Sequence, residues 1–157
     1  MNSRYILMKK YFKLLMVLMW MLIIFYFSGK PAVASDQDSE LIIRIVKFLG
    51  LDLNSVLGEM ASFAVRKAAH FTEYFILCLL WFNLLYEKFD LRKAALYSVA
   101  AVFLYSVTDE LHQMFVPGRA ARFADVMIDL SGGCAAAASR YLTLKRKGIE
   151  IKKTEAE

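Results

Sequence analysis

The chain has 157 residues, of which 59% are hydrophobic, and it carries a formal net charge of +5. The apolar fraction exceeds the about 45–50% of an average soluble domain, and the length suits one domain. Because the basic residues flank long apolar blocks and form no soluble face, a nucleic acid is excluded as the expected partner.

Four apolar blocks approach the roughly 20 residues that a transmembrane helix needs. They cover residues 11–27, 63–86, 94–112 and 123–142. We therefore predict an all-α fold, an integral membrane bundle of four transmembrane helices. A membrane domain over residues 1–144 is expected to be followed by a charged cytoplasmic tail over residues 145–157.

The first block allows a second interpretation. A basic start, an apolar run and "AVA" at Ala32–Ala34 are also typical of a cleavable signal peptide. The run is, however, longer than the about 7–15 residues of a signal-peptide core, and Lys30 and Pro31 crowd the cleavage site. We favour a retained anchor and leave cleavage as the alternative.

The longest connection follows the first block. It is expected to be an outer loop that begins with the polar stretch "SGKPAVASDQDSE" and continues with the mostly apolar residues 41–49, before Gly50. Gly50 is a typical helix stop, so residues 41–49 are predicted to form a short helix. This helix is expected either in the membrane interface or as a lid over the bundle.

Lysine and arginine residues indicate the orientation. They concentrate before the first block, between the second and third blocks, and after the fourth. Four spans place these segments on one side, and basic segments mark the cytoplasm. We predict a multi-pass protein of the cell membrane with both termini cytoplasmic, its basic segments lying next to anionic lipid.

Charged and polar side chains inside the last three blocks recur at helical offsets. On the second block, four of them lie three or four residues from His70, which places them on one helix face. On the third block Asp109, His112 and Gln113 share a face, as do Arg122, Asp125 and Asp129 on the fourth. The four-span topology sends all of them to the outer side of the membrane.

A charge inside a span costs about 2.5–3.5 kcal/mol on insertion scales, so such residues usually face the bundle interior and pair there. We therefore predict that these side chains converge in an outward-facing polar pocket. The predicted members are Arg66, Lys67, His70, Glu73, Tyr74, Asp109, Glu110, His112, Gln113, Arg119, Arg122, Asp125 and Asp129.

Small residues on the last block predict close helix packing. Gly132, Gly133, Ala136 and Ala137 repeat at four-residue spacing, which lets helices approach each other. The two cysteines, Cys78 and Cys134, fall within spans and are expected to be buried apolar residues. They do not form a disulfide framework.

Three motifs resemble the VanZ-like family. They are "RKAAHFTEY" at Arg66–Tyr74, "DELHQMFVPGR" at Asp109–Arg119 and "DVMIDLSGG" at Asp125–Gly133, and the similarity covers about residues 23–133. The resemblance implies a bacterial multi-pass membrane protein with a role in tolerance to teicoplanin-type glycopeptides. It implies no mechanism.

Three functions remain open at this point. The favoured one is binding of an anionic lipid headgroup, a cell-envelope precursor or a glycopeptide antibiotic through Lys67, Arg119 and Arg122, because arginine suits bidentate phosphate contacts. The second is a hydrolase or transferase acting on a lipid-linked phosphate, for which no catalytic residue, metal site or cofactor is assigned. The third is a scaffold in which the charges pair and set the helix register.

Overall fold

The computed structural model describes residues 3–148, and this part of the chain is helical without strands. The helices are α1 (Ser3–Ser28), α2 (Ala32–Phe48), α3 (Leu53–Leu57), α4 (Ala61–Leu85), α5 (Leu91–Gln113) and α6 (Phe123–Arg146), and a 3₁₀ turn at Gly58–Met60 joins α3 to α4. The all-α prediction is confirmed.

Three segments have the length and hydropathy to cross a membrane. They are Leu7–Ser28, Leu53–Leu85 and Leu91–Gln113. α6 has 24 residues, but its first half carries Asp125 and Asp129 and its centre is rich in Gly, Ala and Ser, which lowers its hydropathy. The membrane character is thus established by three helices, and the fourth span remains a prediction.

α4, α5 and α6 pack against one another, and α1 lies alongside α4 with a smaller contact to α5. The apolar core is formed by α4 side chains such as Leu77 and Phe82, together with Val102 of α5 and Ala136 of α6. Most large apolar side chains of α1 are exposed, as expected for a helix that faces lipid.

The most extensive helix contact in the described part of the chain is between α4 and α6. A Cβ atom on Gly132 would lie 2.3 Å from the Phe71 carbonyl oxygen, and one on Gly133 would lie 2.8 Å from Cγ1 of Val102. Only hydrogen fits at Gly132, so this glycine sets the distance between the two helices. The predicted close packing by small residues is confirmed here.

Three polar side chains attach α1 to the rest of the bundle. Trp20 Nε1 donates to the Glu73 carbonyl oxygen at 2.9 Å, and the Tyr105 hydroxyl donates to the Met21 carbonyl oxygen at 2.6 Å. Lys13 Nζ reaches a carbonyl oxygen and a carboxylate near the end of α4. These bonds satisfy polar groups that would otherwise face hydrocarbon.

α2 begins at Ala32, immediately after Pro31, rather than near Leu41. The acidic half of the connection is therefore helical, and its prediction as a polar loop was wrong. The helix ends near Gly50, whose φ of +98° is a conformation that glycine tolerates best. α2 packs on α4, while a position in the membrane interface remains a prediction.

Two smaller predictions can also be compared with the structure. Cys78 is buried as predicted, but Cys134 is exposed, because it lies on the face of α6 opposite the buried Gly132 and Ala136. α6 continues to Arg146, so the first two residues assigned to the tail are helical. Residues 149–157 of that tail lie outside the described part of the chain.

Candidate functional site

Polar side chains collect at the end of the bundle where α1 and α5 finish and α4 and α6 begin. We call this region the polar end. It contains two adjoining cavities and, behind them, a layer of buried carboxylates. Arg66, His70 and Arg119 contribute to the walls of both cavities.

The first cavity has a volume of about 220 Å³ and lies between the end of α1, α2 and α4. It combines apolar and polar walls. The lining residues are Phe27, Ser28, Ser35, Asp38, Ser39, Ile42, Val65, Arg66, Ala69, His70, Glu73 and Arg119. α2 thus covers this side of the polar end.

The second cavity has a volume of about 120 Å³ and lies between α4, the start of α6 and the connection from α5 to α6. Its polar lining is mostly basic. The lining residues are Ala32, Phe63, Arg66, Lys67, His70, Gln113, Gly118, Arg119, Ala120, Arg122 and Asp125.

Two of the bases on α4 are neutralised by neighbouring helices. Arg66 pairs with Asp36 of α2, and Lys67 pairs with Asp125 of α6. The Lys67–Asp125 pair is largely buried, with side-chain exposures of 19% and 12%. These contacts join α2 and α6 to the first half of α4.

Arg119 lies in the connection between α5 and α6 and is half-buried. Its Nε donates to the Lys30 carbonyl oxygen at 3.2 Å, and its Nη1 lies 3.5 Å from Oε1 of Gln113. Burial lowers the pKa of Arg119, and the nearby Arg66 lowers it further. Both acceptors are neutral, so within the described residues this guanidinium forms no ion pair.

Asp129 of α6 lies behind His70 and is 1% exposed. Its Oδ1 is 3.3 Å from Nδ1 of His70, and its Oδ2 accepts a hydrogen bond from Ser106 Oγ at 2.8 Å. Three helices therefore meet at one buried carboxylate, since His70 belongs to α4 and Ser106 to α5.

Asp109 of α5 forms the other part of the buried layer and is 4% exposed. Gln113 Nε2 lies 3.3 Å from one of its oxygens and donates to Ser28 Oγ at 3.0 Å. The hydroxyl of fully buried Tyr74 and Oδ1 of Asp109 are buried without a hydrogen-bond partner among the described residues. The Gln113 contacts link the end of α1 to α5.

Glu110 has a different role, at the start of α6. Its Oε1 accepts a hydrogen bond from the Arg122 backbone N–H at 2.5 Å, and Arg122 is the residue that precedes the first turn of α6. A carboxylate at a helix N-terminus satisfies a free donor and interacts favourably with the helix dipole. The side chain of Arg122 is exposed at the rim of the second cavity.

The predicted polar pocket can now be compared with the structure. Eight of its members line a cavity: Arg66, Lys67, His70, Glu73, Gln113, Arg119, Arg122 and Asp125. Four lie in or beside the buried layer: Tyr74, Asp109, Glu110 and Asp129. His112 lines neither cavity and instead stacks on Phe25 of α1, with ring centroids 4.4 Å apart.

Seven polar residues of the polar end were missing from the sequence prediction: Ser28, Lys30, Ser35, Asp36, Asp38, Ser39 and Ser106. Ser106 precedes Asp109 by three residues, so its helical offset could have revealed it. Lys30 pairs with Asp38 at 2.6 Å, a contact that depends on α2 being helical. No group of three or more His, Cys, Asp or Glu side chains suited to a metal ion occurs in the described range 3–148.

The helices and the polar end together define a membrane-type helical protein with a charged cluster at one end of its bundle. The family model VanZ/LLP1 matches residues 12–144. The chain therefore belongs to the VanZ/LLP1 family, which confirms the resemblance of its three motifs. No curated protein and no solved structure matches the chain.

Proposed function

We propose that the polar end binds the phosphate-bearing headgroup of an anionic lipid or of a lipid-linked cell-envelope precursor. In this proposal the protein is a four-span protein of the bacterial cell membrane, with both termini cytoplasmic and the polar end outward. Binding of an envelope precursor would connect the chain to tolerance of teicoplanin-type glycopeptides. The observation that carries the proposal is the charge balance of the second cavity.

Four basic side chains and one carboxylate line the second cavity. Arg66 and Lys67 are already neutralised by Asp36 and Asp125. Arg119 and Arg122 form no ion pair with any described residue, so the cavity wall carries two guanidinium groups without a direct carboxylate partner. An arginine fork matches two oxygens of a phosphate group, and the cavity exceeds the about 10–15 Å³ that one water needs.

The first cavity supports a lipid as the source of the headgroup. Phe27, Ile42 and Val65 provide apolar walls beside Arg66 and Arg119. An amphiphile could place its phosphate against the two arginines and the beginning of its chain against these apolar side chains. A free inorganic anion would leave the apolar walls without a partner.

The proposed orientation is supported by the basic residues at the opposite end of the bundle. Exposed basic residues collect there, among them Lys88 between α4 and α5, Arg92 and Lys93 at the start of α5, and Lys145 in the last turn of α6. Basic segments near span ends mark the cytoplasmic side. α6 is long enough to be the fourth span, since 24 residues at about 1.5 Å per residue exceed a hydrocarbon core of about 30 Å.

Replacement of one guanidinium tests the binding site. Dioctanoyl phosphatidic acid is titrated into the purified protein by calorimetry in mild detergent, with dioctanoyl phosphatidylcholine as the zwitterionic reference. Arg119→Lys keeps the charge but removes the fork. We expect affinity for phosphatidic acid to fall roughly 10-fold, equivalent to about 1.4 kcal/mol.

The matched control is Arg92→Lys, the same exchange at an exposed site at the other end of the bundle. It should leave the affinity unchanged. Equal affinity of the wild type for the two lipids, or equal effects of the two substitutions, would contradict the proposal.

Thiol labelling tests the orientation. Single cysteines at the exposed positions Gln37, Ala121 and Lys147 are introduced after Cys78 and Cys134 have been replaced by Ala. On intact cells an impermeant maleimide should label the first two positions and leave Lys147→Cys unlabelled until the cells are opened. Labelling of all three on intact cells would refute both the topology and the outward position of the polar end.

A further inference from the structure

We infer that the polar end hydrolyses the lipid phosphate it binds, with His70 activating the attacking water molecule. The substrates would be lipid phosphate monoesters or lipid diphosphates, which share a terminal phosphoryl group. This inference rests on the proposed function, because it needs the phosphate to lie against Arg119 beside His70.

The first argument is the orientation of the His70 ring. Nδ1 lies 3.3 Å from Asp129 Oδ1, and the nearby carboxylate favours the tautomer with its proton on Nδ1, which leaves Nε2 with its lone pair. Nδ1 is buried, whereas His70 forms part of the wall of both cavities. The free edge of the ring therefore faces the space proposed for the phosphate.

The second argument is that Asp129 is held in place. Ser106 Oγ donates to its Oδ2 at 2.8 Å while Oδ1 faces His70. One turn further along α6, Gly132 contacts the backbone of Phe71, the residue that follows His70. The His70–Asp129 distance thus depends on close backbone packing, which provides the rigid support that a general base needs.

The third argument is the position of Arg119. Its side chain borders both cavities and is held by the neutral Lys30 carbonyl and Gln113 amide oxygens. A positioned guanidinium can stabilise the charge that develops on a phosphoryl group during transfer. Base and cation therefore border the same two cavities.

Glu73 supplies the complementary acid. It follows His70 by three residues on α4, which places it on the same helix face, and it lines the first cavity. Its carboxyl group forms no ion pair or hydrogen bond within the described residues. In its protonated form it can give a proton to a leaving oxygen.

Water is the only reactant that this hydrolysis needs besides the lipid phosphate. The water oxygen forms a bond to phosphorus while its proton moves to Nε2 of His70. The bond between phosphorus and the leaving oxygen breaks, and Glu73 protonates that oxygen. The proton on His70 then returns to Glu73 through water, so the products are inorganic phosphate and a lipid alcohol, or a lipid monophosphate when the substrate is a diphosphate.

The experiment measures release of inorganic phosphate by the purified full-length protein in lipid nanodiscs. Dioctanoyl phosphatidic acid and farnesyl diphosphate are the two substrates tested. We expect release from at least one of them by the wild type. Because general base catalysis typically contributes 10²–10⁴-fold, His70→Gln should lower kcat by about 100-fold or more.

Asp129→Asn tests the positioning residue behind His70. It should lower kcat to a similar extent while KM changes by less than about 3-fold, because the oriented base and not substrate binding is lost. Asp90→Asn is the matched control, since Asp90 caps α5 at the other end of the bundle and Asn caps equally well. Its kcat should equal that of the wild type.

Glu73→Gln tests the acid. The lipid monophosphate that leaves farnesyl diphosphate is a weaker base than the alcohol that leaves phosphatidic acid, so the substitution should slow release from phosphatidic acid more than release from farnesyl diphosphate. An equal loss on both substrates would overturn the role assigned to Glu73.

Binding of phosphatidic acid is measured for every protein to separate the two proposals. Wild-type protein that binds phosphatidic acid but releases phosphate from neither substrate would overturn the hydrolysis and leave the proposed function intact. Wild-type protein that binds no phosphatidic acid would overturn both. His70→Gln protein that binds normally and turns over at the wild-type rate would also overturn the hydrolysis.

Discussion

α4 runs through two different environments. In its second half Leu77, Cys78 and Phe82 are fully buried against apolar side chains of α5 and α6. In its first half Lys67 and His70 face the carboxylates of α6. We call these two regions of the bundle the apolar half and the polar half.

The two halves differ in how strongly a substitution is expected to lower the stability of the bundle. Apolar cores tolerate exchanges that conserve volume, usually at less than about 1.5 kcal/mol. Buried ion pairs add little net stability, yet loss of one partner leaves an uncompensated charge that costs about 3–5 kcal/mol. The polar half should therefore be the more sensitive of the two, although it is not the stronger source of stability.

The largest effect is expected where the two halves meet, at Gly132. Gly132→Ala places a Cβ 2.3 Å from the Phe71 carbonyl oxygen, and a backbone atom cannot move aside. The loss of unfolding free energy should reach or exceed the about 1–3 kcal/mol typical of overpacking. Unfolding in mixed dodecyl sulfate micelles measures it.

Gly133→Ala is the matched control on the same helix. Its Cβ would meet Cγ1 of Val102 at 2.8 Å, a side-chain methyl group that can shift, so the loss should lie at the low end of that range. If Gly133→Ala proved the more damaging, then side-chain packing in the apolar half, and not the α4–α6 distance, would control assembly.

A second prediction compares two buried serines of α5, one in each half. Ser106 donates to Asp129 of α6, whereas Ser98 donates to the Ala94 and Ala95 carbonyl oxygens of its own helix. Ser106→Ala leaves a buried carboxylate oxygen without its donor and should lower the unfolding free energy by about 1–3 kcal/mol. Ser98→Ala leaves the helical hydrogen bonds in place and should change it by less than about 0.5 kcal/mol.

The same denaturation assay measures both serine variants. Equal losses would show that burial of the hydroxyl group, and not its bond to Asp129, determines the result. In that case the polar half would be no more sensitive than the apolar half to the loss of a single hydrogen bond.

The smallest effect is expected at the ion pair between α1 and the end of α4. Lys13 Nζ lies 2.5 Å from Glu87 Oε1, with side-chain exposures of 25% and 33%. Because partly exposed pairs contribute about 0–1 kcal/mol, Glu87→Gln should shift the thermal unfolding midpoint only slightly, and less at high salt. A shift as large as that of Ser106→Ala would show that charges at both ends of the bundle matter equally.

The sequence predicted the convergence of the polar residues because helical offsets are local. The spacing of His70 and Glu73 on α4, and of Asp125 and Asp129 on α6, needs only a regular helix to define a face. Outer-side placement of these faces in a four-span bundle was then enough to expect that His70 and Asp129 would meet, and they do at 3.3 Å.

His112 shows where this reasoning fails. A position three residues after Asp109 is rotated about 60° to one side of it, and the position of Gln113 about 40° to the other. A shared face of that width can contact two different neighbours. Gln113 accordingly faces Asp109 and Ser28, whereas His112 stacks on Phe25.

α2 shows a second limit. The acidic residues Asp36 and Asp38 gave its first half the composition of a loop. In the structure they pair with Arg66 and Lys30, and these partners come from other parts of the chain. Local composition therefore could not reveal that this segment is helical and covers the first cavity.

The attachment points of α1 have a consequence for how the chain tolerates insertions. Lys13, Trp20 and Ser28 make their contacts at intervals of seven and eight residues, which is close to two helical turns each. The helical register that Lys13 and Trp20 fix in α1 therefore determines which way Ser28 faces at the polar end. One residue inserted between Trp20 and Ser28 would turn Ser28 by about 100° away from Gln113, although the helix would remain apolar enough to stay in the membrane.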